Sequence, residues 1–310
     1  MTRSTDSEDD AKNPTVGSTP RRRTILVRLS RAVWFLLVIG LAGAMVLFGA
    51  SEYLLRQTHP VMPETVKAGD TSQIAEGRRL AKLFGCTSCH GADYRGLRYN
   101  DDPKLVRDHA PNLTIIAAST SDAGLAQAIR QGVSPRDGRA LWDMPSATFS
   151  TITDAELAAV LAHLRSVPVG GVSMRGSSPG LRARIAVLRG LLSDGEATQR
   201  SAPALIAAAK ARPPLDLGPR FAKGRHIGAT VCSECHGSDL GGDTVEGGPD
   251  LTIAGAYDLE DFRRLMRTGI PPGGRDLGLM AETAREDLTV FTDAEIEALH
   301  AYLVRRSQSY

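Results

Sequence analysis

Two short motifs, at residues 86–90 and 232–236, constrain this chain of 310 residues more than any other feature. They read C-T-S-C-H and C-S-E-C-H, both of the form C-x-x-C-H, and together they contain all four cysteines. The motifs begin 146 residues apart, so the fold must build the same local arrangement twice.

Each motif contains the residue types that covalent haem attachment requires. Two thiols three positions apart can add to the two vinyl groups of one porphyrin, and the histidine that follows then lies beneath the iron as its proximal ligand. We therefore predict two covalently bound haem c groups, one held by Cys86, Cys89 and His90 and the other by Cys232, Cys235 and His236.

Two other uses of C-x-x-C pairs fit the sequence less well. Zinc ribbons usually place their two pairs close together, and neither pair needs a following histidine. A thioredoxin-like redox motif would explain one pair, but it would leave the repeated histidine unexplained.

An uncharged, mostly apolar run at residues 32–50 predicts a transmembrane helix. Nineteen helical residues at about 1.5 Å each cover the roughly 30 Å hydrocarbon core of a bilayer. Five arginines at 21–31 directly precede the run, so the positive-inside rule places residues 1–31 in the cytoplasm as a disordered basic tail. Both motifs then lie in the periplasm, after a linker at residues 51–70.

Two alternatives concern the same N-terminal segment. The small residues at 42–44 offer a signal-peptide cleavage site, but the apolar run continues past them through Phe48. The pair Arg21-Arg22 is compatible with a twin-arginine signal, although topology charge explains it more simply. The body is exported in each case.

Aligning the two motifs reveals an internal repeat. The same order of short patterns follows both motifs, which indicates two copies of one domain, at residues 71–168 and 220–310. The matched segments are 75–78 with 222–225, 111–114 with 249–252, and 153–157 with 292–296.

Each copy is predicted to end in a capped helix. Thr153 with Glu156, and Thr292 with Glu295, form S/T-x-x-E capping boxes. Core positions at helical spacing follow, namely Leu157, Val160, Leu161 and Leu164 in the first copy and Ile296, Leu299 and Leu303 in the second.

No long run of alternating apolar and polar residues is present in either copy, so strands should be few. Further short helices are predicted over 72–84, 123–131, 220–231 and 259–268.

The order C-x-x-C-H-G, Pro-x-Leu, methionine and capped helix resembles the class I cytochrome c family, twice in one chain. The resemblance implies that His90 and His236 are proximal ligands. It also implies that the carbonyls of Pro111 and Pro249 accept a hydrogen bond from each imidazole. The predicted fold class is all-α, with two tandem cytochrome c domains preceded by one N-terminal transmembrane helix.

Met144 and Met280 are the candidates for the distal ligands that the family uses. They follow the matched glycines Gly132 and Gly269 by 12 and 11 residues. Met144 precedes a proline, as in many family members, whereas Met280 does not, and Met266 is a weaker alternative there. Four other residues are expected to be ordinary surface or packed side chains: Met174, His109, His226 and His300.

The segment at 169–219 is predicted to be a linker with a short helix over 181–192, where apolar residues and arginines alternate. That helix packs between the two domains, or lies on a membrane surface or against a partner subunit. Residues 220–310 hold 10 basic and 15 acidic residues, so an acidic face for a basic redox partner or a merely solvated surface is expected there.

With histidine and methionine on both irons, no position is open to substrate, and the predicted function is to relay single electrons. The expected donor is a dehydrogenase or quinol-oxidising complex, and the expected acceptor is an oxidase or soluble cytochrome. The pattern at 138–145 resembles cytochrome subunits of periplasmic dehydrogenases. Two alternatives remain, namely a di-haem peroxidase-like or thiosulfate-oxidising enzyme with one open haem, and a fixed subunit of a cbb3-type oxidase.

Overall fold

A computed structural model describes residues 20–102, 106–142, 144–174, 178–189, 202–243 and 247–309, in two units, residues 1–48 and 49–310. Helix α1 (Pro20–Leu55) is continuous from the first unit into the second. Its part from Thr24 to Leu55 is long and apolar enough to cross a membrane. Residues 20–31, which the sequence predicted as disordered tail, are helical, and residues 1–19 lie outside the described residues.

The first copy is a set of short helices around one buried cluster. A 3₁₀ turn at Thr71–Gln73 precedes the first of them. The helices are α2 (Ile74–Leu83), α3 (Cys86–His90), α4 (Leu113–Ser119), α5 (Asp122–Gln131), α6 (Ser146–Phe149) and α7 (Asp154–Ser166). The predicted linker before them is packed on this copy, since the Met62 and Ala68 amides donate to Gln131 and Asp122 side chains.

A small antiparallel sheet interrupts the first copy between α3 and α4. Strand β1 (Leu97–Asp102) pairs with β2 (Val106–Ala110), with Leu97 opposite Ala110 and a bulge between Arg98 and Asn100. Strand β3 (Ser178–Pro179), from the connecting segment, pairs with β2. The second copy has no such strands among its described residues, so the few strands expected lie in this insertion and in the connecting segment.

The described part of the connecting segment contains two helices. Helix α8 (Leu181–Arg189) confirms the predicted helix over its described part, and residues 190–201 lie outside the described residues. Helix α9 (Ala202–Ala211) was not predicted, and it packs against α6 and α5. Pro203 is its second residue, where a proline is tolerated because its missing N–H would have no intrahelical partner.

The second copy repeats the order of the first. A 3₁₀ turn (Pro219–Phe221) leads into its helices, and further 3₁₀ turns lie at Leu251–Ala256 and Leu288–Val290. The helices are α10 (Ala222–Ile227), continued by a π turn at Gly228–Cys232, then α11 (Ser233–His236), α12 (Leu259–Thr268), α13 (Leu279–Glu286) and α14 (Asp293–Ser307). All four predicted short helices are confirmed within a few residues.

Both predicted capping boxes are present. The hydroxyls of Thr153 and Thr292 accept from the amides of Glu156 and Glu295, whose carboxylates accept from the threonine amides in return. The core positions predicted on α7 and α14 are all buried. They belong to one apolar cluster that runs through both copies, so the two copies share a continuous core.

Helix crossing in each copy depends on a glycine. In the first copy α2 lies on α7, and an added methyl group at Gly77 would overlap the carbonyl oxygen of Ala159. In the second copy α10 lies on α14, and a methyl group at Gly224 would overlap the carbonyl oxygen of Ala298. The repeated glycine therefore lets the first and last helices of each copy approach closely.

Candidate haem sites

The first C-x-x-C-H motif lies on the short helix α3, and the second begins at the last residue of the π turn, Cys232, and continues through helix α11. The helical turn brings Cys86, Cys89 and His90 together in α3, and a glycine with positive φ ends the helix in both copies, Gly91 at 82° and Gly237 at 78°. The motif glycine thus allows the chain to reverse immediately after the histidine.

The loop that follows each histidine has the same backbone hydrogen bonds in both copies. The Gly96 amide donates to the His90 carbonyl at 2.9 Å, and the Gly242 amide donates to the His236 carbonyl at 2.9 Å. Four residues after each histidine, Tyr94 and Leu240 adopt positive φ angles of 60° and 62°, which is uncommon for side-chain-bearing residues. Their side chains are buried, so core packing holds this conformation.

These loops place a proline carbonyl against each imidazole. His90 Nδ1 lies 2.9 Å from the Pro111 oxygen, and His236 Nδ1 lies 2.7 Å from the Pro249 oxygen. Because a carbonyl can only accept, Nδ1 carries the proton in both rings, and the lone pair is on Nε2. The predicted proline contacts are therefore confirmed.

Burial favours the neutral form of both imidazoles. It lowers the pKa of His90 and of His236, although the hydrogen bond to Pro111 or Pro249 acts in the opposite direction. Only a neutral imidazole can donate a nitrogen lone pair to a metal, so both rings are in the form that ligation requires.

The residue between proline and leucine has a role that the sequence did not reveal. Asn112 accepts hydrogen bonds from the amides of Thr114 and Ile115 and so caps α4. Asp250 accepts from the Thr252 amide in the second copy and pairs with the buried Arg306 at 2.7 Å. The capping residue fixes the end of the loop on which the proline carbonyl lies.

The thiols and methionines predicted as ligands lie against the shared core. Cys86 and Cys232 are packed beside the buried cluster, as are Met144 and Met280, whereas Met266 is 4% exposed within it. Burial raises the pKa of the Cys86 and Cys232 thiols to about 12. All four cysteines are described, and none forms a disulfide.

Met174 and His300 make ordinary packing and hydrogen-bond contacts, as expected. Met174 covers Gly96 from the connecting segment. His300 lies 2.8 Å from the Tyr257 carbonyl, and His163, in the final helix of the first copy, contacts the Tyr94 hydroxyl at 3.2 Å.

The donor set suits haem c better than zinc. Each motif offers two thiols that are not in a disulfide and one imidazole with its Nδ1 already engaged, which is the set that thioether attachment and a proximal ligand need. Among the described residues, no three His, Cys, Asp or Glu side chains form a group that could hold a metal ion, so the zinc alternative gains no support.

The family model for cytochrome c matches residues 74–168 and 221–307, which together make up more than half of the chain. The chain belongs to the cytochrome c family. Cytochrome c domains bind haem c covalently and carry electrons, and the two matched regions coincide with the two copies seen in the structure. No curated protein matches the chain.

The two cytochrome c domains contact each other through a reciprocal pair of side-chain contacts. In one, the Arg79 guanidinium donates to both carboxylate oxygens of Glu295 at 2.9 Å. In the other, His226 Nε2 lies 2.9 Å from both oxygens of Glu156. Arg79 and His226 are matched positions, and so are the two glutamates, which also close the capping boxes.

Both acceptor glutamates are held ionised by this arrangement. Burial alone would raise their pKa values, but the Arg79 guanidinium and the Thr292 amide lower the pKa of Glu295 below its ordinary value. His226 and Thr153 do the same for the pKa of Glu156. In the alignment of the two copies, both glutamates lie in matched segments, and Arg79 and His226 directly follow another matched pair. Nothing in the sequence indicated that these side chains meet between the domains.

Two further contacts connect the attachment motif of one domain with the segment after the methionine of the other. The Ser88 hydroxyl donates to Asp287 at 2.9 Å, and the Ser233 and Thr148 hydroxyls lie 3.1 Å apart. Burial raises the pKa of Asp287, while Ser88 opposes the rise. Both attachment motifs therefore lie at the boundary between the domains.

Proposed function

We propose that this protein is a membrane-anchored di-haem c-type cytochrome that relays single electrons. The observation that carries the proposal is the duplicated site: two attachment motifs, each with an imidazole oriented by a proline carbonyl. A chain that bound only one haem would have no need to maintain the second copy of this geometry.

In this proposal the residues act in matched pairs. Cys86 and Cys89, like Cys232 and Cys235, would hold a haem through thioethers, His90 and His236 would bind its iron through Nε2, and Met144 and Met280 would supply the second protein ligand. The bound haem supplies one-electron oxidation and reduction. A methionine thioether is soft and neutral, so it favours reduced iron and raises the potential compared with a second nitrogen ligand.

The proposed ligand set also argues for a carrier rather than an enzyme. Peroxidase-like or thiosulfate-oxidising chemistry needs an open or unusual position on one iron. Met144 and Met280 both lie beside the shared core, and in this proposal each would be the second protein ligand in its own domain. In this proposal, neither haem iron has a free position for a substrate.

The contact between domains supports transfer within one chain. The attachment motifs face the boundary through Ser88 and Ser233, and the shared core spans it. Because electron-transfer rates fall steeply with distance, a fixed boundary at the attachment side of both sites favours an internal relay over random collision.

The proposed location follows from helix α1. The uncharged run at 32–50 spans the cytoplasmic membrane, with the arginines before it inside and both cytochrome c domains in the periplasm. There the protein takes electrons from a dehydrogenase or quinol-oxidising complex and passes them to an oxidase or soluble cytochrome.

A flash-reduction experiment tests the relay. A photogenerated one-electron reductant is added in limiting amount to the full chain in nanodiscs, and both haems are followed optically. The double variants Cys86→Ala/Cys89→Ala and Cys232→Ala/Cys235→Ala, each with one haem, supply the reference spectra. We expect a redistribution between haems whose rate does not depend on protein concentration. No redistribution, or a rate proportional to concentration, would contradict an internal relay.

A further inference from the structure

Helix α8, in the segment that connects the two cytochrome c domains, has two apolar sides. One side is buried and the other is exposed. Ala183 and Val187 are 0% and 6% exposed and face the protein. On the opposite side, Leu181, Ile185 and Leu188 follow the i, i+4, i+7 spacing of a single stripe. Leu181 is 51% exposed and Leu188 is 37% exposed, so this stripe is open to the surroundings.

The inner side of α8 is attached to the last turn of helix α1. Val187 packs with Leu54, Leu55 and Trp142. The Arg184 guanidinium donates to the Ser51 hydroxyl at 2.9 Å and to the Glu52 carboxylate at 3.0 Å. Apolar packing and two charge-assisted hydrogen bonds thus fix α8 to residues 51–55.

Residues 51–55 are the first residues beyond the uncharged run at 32–50, which is long enough to fill the hydrocarbon core. They therefore belong at the level of the lipid headgroups on the outer side. Tyr53, with 69% exposure, has the side-chain type that is enriched at this level. Since α8 is held to these residues, it lies at the same level.

We propose that the outer stripe of α8, Leu181, Ile185 and Leu188, rests on the lipid bilayer and orients the first cytochrome c domain at the membrane. The inference rests on the proposed anchor. An apolar stripe beside an exposed arginine, Arg182, suits the headgroup region, where leucine enters the acyl boundary and the guanidinium meets lipid phosphates.

Site-directed spin labelling of the full chain in liposomes of phosphatidylcholine and phosphatidylglycerol tests this. With the four natural cysteines in thioethers, Leu188→Cys creates a single reactive thiol for a nitroxide. Ile270→Cys, an apolar residue of the second domain that is 49% exposed, is the matched aqueous control. Leu37→Cys, in the apolar run, is the control for the anchor. Collision rates with oxygen, which enters lipid, and with a nickel chelate, which stays in water, are compared.

We expect the oxygen-to-nickel ratio at position 188 to exceed that at position 270 several-fold and to approach that at position 37. A high ratio at 37 with equal ratios at 188 and 270 would overturn the lipid contact while the anchor stands. This result would direct attention to a protein partner for the stripe. A low ratio at 37 would refute the anchor and the inference together.

Discussion

At the scale of single residues, His90 and His236 show how a short motif specifies a complete ligand. The cysteine spacing positions each thiol. A proline carbonyl, 21 residues after the histidine in the first domain and 13 after it in the second, accepts from Nδ1 and so leaves the lone pair on Nε2. The motif therefore defines only part of the site, and the loop after it defines the tautomer.

Replacing the methionines tests the distal ligands. In Met144→Ala and Met280→Ala, covalent haem should remain, because the thioethers are unchanged. The potential of the affected haem should fall by about 0.1 V, within the roughly 0.8 V over which axial ligands set potentials. Potentiometric titration and carbon monoxide binding measure both effects.

Met174→Ala is the matched control, because that methionine covers Gly96 in the connecting segment and should alter neither potential nor carbon monoxide binding. Met266→Ala examines the alternative ligand of the second domain. If it, and not Met280→Ala, opened the second haem, the assignment of Met280 would be wrong.

At the scale of elements, the capped last helix of each domain contributes both to the core and to the contact between domains. Thr153 and Thr292 start these helices, and the glutamate of each capping box continues into the contact between domains. The same helices also carry the core face. Sequence pattern predicted the caps and the core, because both depend on residues a few positions apart.

The contact between domains was beyond sequence reasoning, because Arg79 and Glu295 are 216 residues apart and nothing local brings them together. The strands at 97–110 were missed for a different reason. Their sequence lacks apolar alternation, and they lie in the loop from His90 to Pro111, which is eight residues longer than the loop from His236 to Pro249.

Glycine replacements test the crossing of first and last helices. Gly77→Ala and Gly224→Ala each place a methyl group against a backbone carbonyl, so we expect each to lower the free energy of unfolding by about 1–3 kcal/mol, as overpacked sites do. Denaturant unfolding monitored by circular dichroism measures the change.

Lys223→Ala, an exposed neighbour of Gly224 on α10, should change the free energy of unfolding by less than about 0.5 kcal/mol. Equal effects of Lys223→Ala and Gly224→Ala would mean that the close approach of α10 and α14 does not limit stability.

At the scale of the whole molecule, the two domains form one compact unit because a shared core and a reciprocal pair of side-chain contacts connect them. Arg79→Gln leaves the 14% exposed Glu295 side chain without its guanidinium. We expect a loss of about 2 kcal/mol in the free energy of unfolding, below the 3–5 kcal/mol of a fully buried pair because this one is partly solvated.

Arg263→Gln is the control for Arg79→Gln. Arg263 pairs with the exposed Glu260 and Glu297 on its own domain, so its loss should cost less than about 1 kcal/mol. Calorimetry of the Arg79 variant should also show the domains unfolding less cooperatively. A single unchanged transition would indicate that the apolar core alone couples them.

Acid should weaken the same boundary. The folded-state pKa values of Glu156 and Glu295 lie below the ordinary value of 4.5, so their contribution to stability is complete above about 4.5 and is lost as pH falls through the folded pKa values. Unfolding free energies measured from pH 7 to pH 3 should fall in that window. The double variant Glu156→Gln/Glu295→Gln should show a shallower fall, and an identical slope would contradict the assignment.

The most direct test of the central claim is a haem count combined with a carbon monoxide titration of the purified full chain. The account predicts two covalent haems per chain by pyridine haemochrome analysis, both low-spin when oxidised and when reduced, and neither reactive with carbon monoxide. A single haem, or one haem that is high-spin or binds carbon monoxide, would contradict a closed two-site electron relay.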